Sequence, residues 1–122
     1  MNNTVSTIKR AQKEAQILKE ISKMLLDISL ETPALHDLFV NKVELNSDKS
    51  IITVYFYTPA GESVFKEKLK TLILFKPSMR KGLATAMPGR YTPNLKFVFD
   101  DKFEKIQRLE GLLAQVKSED KE

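Results

Sequence analysis

The chain has 122 residues, 42% of them hydrophobic and 30% charged, with no cysteine. That is enough chain for one packed core, and it leaves no disulfide framework or thiolate metal site. The formal net charge of +4 is unevenly spread: from Val64 to Lys96, the cations Lys66, Lys68, Lys70, Lys76, Arg80, Lys81, Arg90 and Lys96 oppose Glu67 alone, so the remainder is net acidic.

A basic segment on a near-neutral body is the electrostatic footprint of a polyanion binder. The plainer alternative is a solvated, lysine-rich helix face. No apolar run is long enough to span a bilayer, and the polar start Met1-Asn2-Asn3-Thr4 lacks the features of a secretory signal. Together with the lack of cysteine, this leads us to expect a cytoplasmic protein.

Thr4 or Ser6 is placed to cap a first helix. In it Val5, Ile8, Ala11, Ala15, Leu18, Ile21, Leu25 and Ile28 recur at spacings of three and four, which marks one apolar stripe. Lys9, Arg10, Lys13, Lys19 and Lys23 ride on the polar side. Thr32-Pro33 closes the pattern. Phe39–Leu45 and Ser50–Tyr57 read as strands joined by the turn-rich Asn46-Ser47-Asp48-Lys49. In the second strand Ile52, Val54 and Phe56 share one face, and Ile51, Thr53, Tyr55 and Tyr57 the other. Apolar surface on both faces predicts a central or covered strand. Thr58-Pro59-Ala60-Gly61 ends it.

From Glu62 the helical period returns, with Phe65, Leu69, Leu72 and Ile73 as the buried side. Pro77 has no N–H, and its ring crowds the preceding turn. The ring also disfavours helical dihedrals at Lys76. Two helices are therefore expected to meet at Lys76-Pro77-Ser78, with Ser78 as a cap and Met79, Leu83 and Met87 as inward anchors. Pro88-Gly89 stops the second helix. Asn94–Asp100 reads as a third strand, with Leu95, Phe97 and Phe99 alternating with Lys96 and Val98. A last helix, capped by Asp100 or Asp101, carries Phe103, Ile106, Leu109, Leu113 and Val116 at helical spacing.

The expected architecture is α+β, a three-stranded sheet covered by helices, in one domain over residues 1–122 with 1–4 and 118–122 frayed. The expected core gathers Ile21, Val43, Val54, Phe56, Leu69, Leu83, Leu95 and Phe97.

Catalytic chemistry finds no foothold. His36 is the sole histidine, and no close carboxylate cluster accompanies it. Gly61, Gly82, Gly89 and Gly111 match neither a phosphate-binding loop nor a dinucleotide fingerprint. No serine sits in a nucleophile elbow. We expect no enzyme activity, no metal and no cofactor.

The segment Arg90-Tyr91-Thr92-Pro93-Asn94-Leu95-Lys96-Phe97-Val98-Phe99-Asp100 resembles the R-x-x-P-x-L-x-F-x-x-D stretch of the ribosome-binding factor A family. Val43-Glu44-Leu45-Asn46-Ser47-Asp48, followed by Thr53-Val54-Tyr55, is similar to that family's V-E-x-S-x-D…K-V-Y pattern. Lys19-Glu20-Ile21 and Arg108-Leu109 fit as well, and the matches fall in the right order along nearly the whole chain. The resemblance implies a type II K-homology-like domain, ordered α-β-β-α-α-β, with an extra C-terminal helix. It also implies a non-catalytic assembly factor. Such a factor binds small-subunit ribosomal RNA and the free small ribosomal subunit, and assists late maturation and 5′-end processing, including during cold adaptation.

Two features depart from the family, and a third departs from ordinary K-homology domains. The family's Ala-x-Gly kink is replaced by Phe75-Lys76-Pro77. The serine opening the hairpin turn is Asn46. The G-x-x-G loop of ordinary K-homology domains is absent, as it is in the family.

If Phe65, Leu69 and Ile73 face the sheet, Lys66 and Lys70 turn to solvent. If Met79, Leu83 and Met87 face inward, Arg80 and Lys81 stay outside. With Lys76 at the bend and Arg90 in the following loop, we expect Lys66, Lys70, Lys76, Arg80, Lys81 and Arg90 to form one basic RNA-binding surface. The start of the second helix would add its dipole and free N–H groups. Such a surface follows an RNA backbone by charge and shape. The expected state is a monomer with no membrane partner. Other readings are a protein–protein adaptor using the C-terminal helix or Tyr55 and Tyr57, a small hydrolase, and a membrane-surface protein. The last is disfavoured because the apolar stripes are needed to cover the sheet.

Overall fold

Strands β1 (Phe39–Leu45), β2 (Ile51–Tyr57) and β3 (Asn94–Phe99) form one sheet in that order. β1 and β2 are an antiparallel hairpin, whereas β2 and β3 are parallel, with Ile52 opposite Leu95, Val54 opposite Phe97 and Phe56 opposite Phe99. Parallel neighbours cannot be joined by a tight turn and need a crossover. Here the crossover is α2 (Glu62–Leu72) and α3 (Lys76–Ala86), while α1 (Asn2–Glu31) precedes the sheet and α4 (Asp101–Asp120) follows it. This computed structural model describes the backbone of residues 2–89 and 92–120 and the side chains of 5–89 and 92–116. Arg90 and Tyr91 lie outside the described residues, as do residues 1, 121 and 122 and the side chains of the two ends expected to fray.

Ile52, Val54 and Phe56 turn toward the helices and are almost fully buried, in one core with Ile17, Ile21, Phe65, Leu72, Met79, Leu83, Leu95 and Phe97. All eight residues expected in the core belong to it, Leu69 as a partly buried member at its edge. Phe56 is the hub: its ring lies 5.0 Å from Phe97, edge-on at 81°, and 6.0 Å from Phe65. The opposite sheet face has Thr53, Tyr55 and Tyr57 half-buried and Lys42, Glu44 and Lys96 exposed. β2 is thus central, but covered on one face.

Several local expectations are corrected. On α1 the buried residues are Ile17, Ile21 and Leu25; Leu18 is half-buried, Ala11 and Ala15 are exposed, and Val5 and Ile8 are 54% and 52% exposed. The cause is length. Thirty helical residues run about 45 Å, whereas strands of six or seven residues run about 20–24 Å. The first turns of α1 therefore overhang the sheet. Ile73, expected inward, is exposed.

The break between α2 and α3 is a 3-10 turn at Ile73–Phe75, just before Lys76. Pro77 is the second residue of α3, where a helix needs no intrahelical N–H. Its effect falls four residues back, on the Ile73 carbonyl, which accepts the Lys76 N–H instead. Lys76 keeps helical dihedrals (φ −53°, ψ −48°), so the expected displacement of this residue does not occur. Ser78 lies within the first turn and is not the cap; that position is Phe75. At Gly82, α3 approaches α1 so closely that a Cβ would stand 2.5 Å from Met24 Sδ.

Two polar turns close as their residues suggest. Asn46 Oδ1 accepts the N–H groups of Ser50 and Ile51, so the hairpin is tied by asparagine where the family has serine. Asp100 Oδ1 accepts the Phe103 N–H at 3.0 Å, which makes Asp100 the cap of α4. Beyond Phe103, whose ring packs 4.6 Å from Tyr57, α4 leaves the body. Ile106, Leu109, Leu113 and Val116 are all more than half exposed. The expectation that every apolar stripe covers the sheet fails there.

Phe97→Ala is expected to cost about 3–5 kcal/mol, since it removes a buried aromatic from the hub. Urea unfolding checks this, and a loss under about 1 kcal/mol would place Phe97 at the periphery.

Candidate nucleic-acid interface

The basic segment spans the crossover, so its geometry follows from how α2 and α3 pack. Phe65 and Leu72 anchor α2, which leaves Lys66 and Lys70 exposed one turn apart. Met79 and Leu83 anchor α3, with Met87 half-buried, and this turns Arg80 and Lys81 outward.

The cations of this segment are not equivalent. The ammonium groups of Lys66 and Lys81 make no hydrogen bond or ion pair among the described residues. Lys70 meets Glu67 at 3.3 Å, with both side chains about three-quarters exposed. Such a pair contributes little and yields easily to a stronger anion. Lys76 is half-buried, with Nζ 5.0 Å from the centre of the Phe97 ring, a cation–π contact over the core.

Arg80 is exposed but engaged: Nε donates to the Pro93 carbonyl at 3.2 Å and Nη2 to the Thr92 carbonyl at 2.7 Å. It ties α3 to the segment entering β3. Lys68 acts similarly at the other end, donating to the carbonyls of Ala34 (3.0 Å) and His36 (2.8 Å). Both are cations satisfied by backbone oxygens, and no local sequence signal announces either contact.

Pro77, Arg80, Lys81 and Thr92 line a shallow cleft of about 340 Å3. Arg80 and Lys81 are thus brought together, while Lys66 and Lys70 stand on α2, before the Ile73–Phe75 turn. Arg90, the sixth expected residue, lies outside the described residues. The start of α3 offers less to an anion than expected. The Lys76 N–H is bonded to Ile73 O, and Pro77 has no N–H. Charge, and not a helix terminus, is what this surface presents.

The outer sheet face is organised differently. Lys42 Nζ meets Glu44 Oε1 at 2.7 Å and lies 5.1 Å above the Tyr55 ring, and the Tyr55 hydroxyl donates to Glu44 Oε2 at 3.0 Å. The Lys42 hydrogen bond holds the Glu44 carboxyl below the usual carboxylate range, with Tyr55 assisting and desolvation opposing. Tyr55 is raised, by desolvation first and then by its bond to Glu44. Lys42, Glu44 and Tyr55 thus satisfy one another, while Lys96 on the same face stays exposed. Among the described residues no group of histidine, aspartate and glutamate could hold a metal ion, and no helix is long and apolar enough to cross a membrane.

The family model described as Ribosome-binding factor A matches residues 9–113. A ribosome-binding factor A from Shewanella sp. (strain W3-18-1) is 30% identical over 113 residues, covering 92% of this chain and 76% of its own. The crystal structure of ribosome-binding factor A from Thermus thermophilus superposes with a TM-score of 0.63 at 28% identity, over 74% of this chain and 93% of the other. A homology model of the Thermus thermophilus factor, fitted into the cryo-EM map of a 30S complex, gives 0.57 at 27% identity, over 69% and 87%.

Two measurements check the geometry. Arg80→Ala is expected to destabilise by about 1 kcal/mol through the lost carbonyl bonds, and Lys81→Ala to stay within about 0.5 kcal/mol. Equal values would mean the Arg80 tie is absent in solution. Glu44, depressed in the fold, adds stability above its ordinary pKa and loses it as pH falls through the folded value. Lys42→Ala should therefore raise the Glu44 titration midpoint in carboxyl NMR; an unmoved midpoint would contradict the pair.

Proposed function

The chain belongs to the ribosome-binding factor A family, and on that premise we propose that it binds small-subunit ribosomal RNA and assists late maturation of the free small ribosomal subunit. In this reading it also assists 5′-end processing of that RNA, including during cold adaptation. It works in the cytoplasm as a monomeric K-homology-like domain over residues 1–122, and it acts by binding, without a catalytic residue or cofactor.

The observation that carries the reading is the crossover surface. Lys66, Lys70 and Lys81 project from helices whose apolar sides are committed to the core, with Glu67 the one acid between Val64 and Lys96. A duplex RNA backbone is met by such charge without base readout. Arg80 and Lys76 add charge to the same segment while holding α3 in place. Arg90 completes the set of six. The 30S complex of the Thermus thermophilus relative supports the small subunit as the partner.

A second reading, the protein–protein adaptor, has one observation behind it, the exposed stripe Ile106, Leu109, Leu113 and Val116 on α4. A surface of this kind is a candidate protein contact. The two readings separate by mutation. Lys66→Glu, Lys70→Glu and Lys81→Glu together spare the Arg80 tie and touch no buried residue. The variant should stay folded and lose affinity for free small subunits, its salt slope flattening by about 0.7–0.9 per lost phosphate contact. Leu109→Ser with Leu113→Ser should leave that affinity unchanged. If the lysine variant binds as the parent does with the same slope, and the leucine variant fails, the adaptor reading replaces the first.

A further inference from the structure

The overhang of α1 creates a second surface that charge counting along the crossover misses. Lys9, Gln12, Lys13 and Gln16 follow the i, i+3, i+4, i+7 spacing of one helix face. This polar stripe faces a groove of about 500 Å3, bounded opposite by the end of α3 and by Pro88, Gly89, Thr92 and Pro93. Half-buried Met87 and exposed Pro88 give its apolar floor, above the buried Ile17, Ile52 and Leu83. The volume falls within the roughly 300–1,000 Å3 of small-molecule clefts.

Charge and hydrogen bonding in the groove point one way. Among the described residues its lining holds two lysines and no acid. Glu14, the acid within this stretch of α1, is turned to the Leu45 N–H, which it accepts at 2.7 Å. The side chains of Lys9, Gln12, Lys13 and Gln16 have no hydrogen-bond partner among the described residues. The groove also adjoins the Arg80–Lys81 cleft, with Thr92 lining both.

We propose that this groove takes an unpaired nucleotide of a single-stranded RNA segment. The base lies on the apolar floor, the Gln12 and Gln16 amides pair with its edge, and Lys9 and Lys13 meet the flanking phosphates. Glutamine offers a donor and an acceptor side by side, which suits the edge of a base. Splayed single-stranded bases are where RNA sequence is read. A double-stranded backbone on the crossover and an extruded base beside it would then be two contacts of one RNA. The inference rests on the RNA-binding reading above for its ligand, but it concerns a different surface.

The test measures fluorescence anisotropy with an unstructured single-stranded oligoribonucleotide and with a duplex of equal length, alongside binding to free small subunits. The wild-type chain should bind the single strand. Gln12→Ala with Gln16→Ala should weaken that by about tenfold, without changing duplex affinity. Lys9→Ala with Lys13→Ala should lower the salt slope for the single strand by about 0.7 per lost contact. All four side chains are exposed on a helix that tolerates alanine, and circular dichroism melting confirms folding. Failure of the wild-type chain to bind the single strand, or unchanged single-strand affinity in the glutamine variant, overturns the groove assignment. Neither touches the small-subunit reading, which falls if the wild-type chain does not bind free subunits.

Discussion

The parallel pairing of β2 with β3 is the constraint on which the rest of the molecule depends. A parallel neighbour cannot be reached by a hairpin, so the chain must leave the sheet, cross one face and return. The crossover brings Phe65, Leu72, Met79 and Leu83 down onto Phe56 and Phe97, and the opposite sides of the same helices are left to solvent. Basic residues placed there are displayed by the act of folding. The crossover also needs fastening at both ends. Lys68 fastens α2 to the turn before β1 through two carbonyls, and Arg80 fastens α3 to the entry of β3 through two more.

This divides the cations of one short segment by role. Lys68 and Arg80 satisfy backbone oxygens, Lys76 rests on Phe97, and Lys66 and Lys81 are free of protein partners among the described residues. A charge count therefore overstates the number of cations available to an outside anion, while locating the right part of the chain. The outer sheet face offers the contrast. There Lys42, Glu44 and Tyr55 satisfy one another, and the surface is polar without being strongly charged.

Legibility in the sequence follows the range of each interaction. Strands were readable because alternation is local, and Ile52, Val54 and Phe56 against Leu95, Phe97 and Phe99 already name the buried faces. That those faces are paired in parallel is a long-range fact, which no local pattern states. The period of α1 identified a helix but not where its cover ends, because the length of the sheet is written elsewhere; Val5 and Ile8 are exposed for that reason. Pro77 announced a break, yet the break lies upstream, where the proline removes a hydrogen bond from Ile73. The Arg80 bonds to carbonyls twelve and thirteen residues away had no sequence signal. Lys9 and Lys13 were visible on the polar side of α1, but the groove they face together with Gln12 and Gln16 was not.

In the proposed mode of binding, the helix side of the sheet, and not its outer face or α4, meets the small subunit. Amide hydrogen exchange of the chain, free and bound to free small ribosomal subunits, tests this most directly, because protection reports contact along every segment at once. New protection is expected from α2 through the Ile73–Phe75 turn into α3, and along the first half of α1, with β1 and the exposed part of α4 unchanged. Protection confined to β1 and the outer edge of the sheet, or to α4 beyond Phe103, would contradict it.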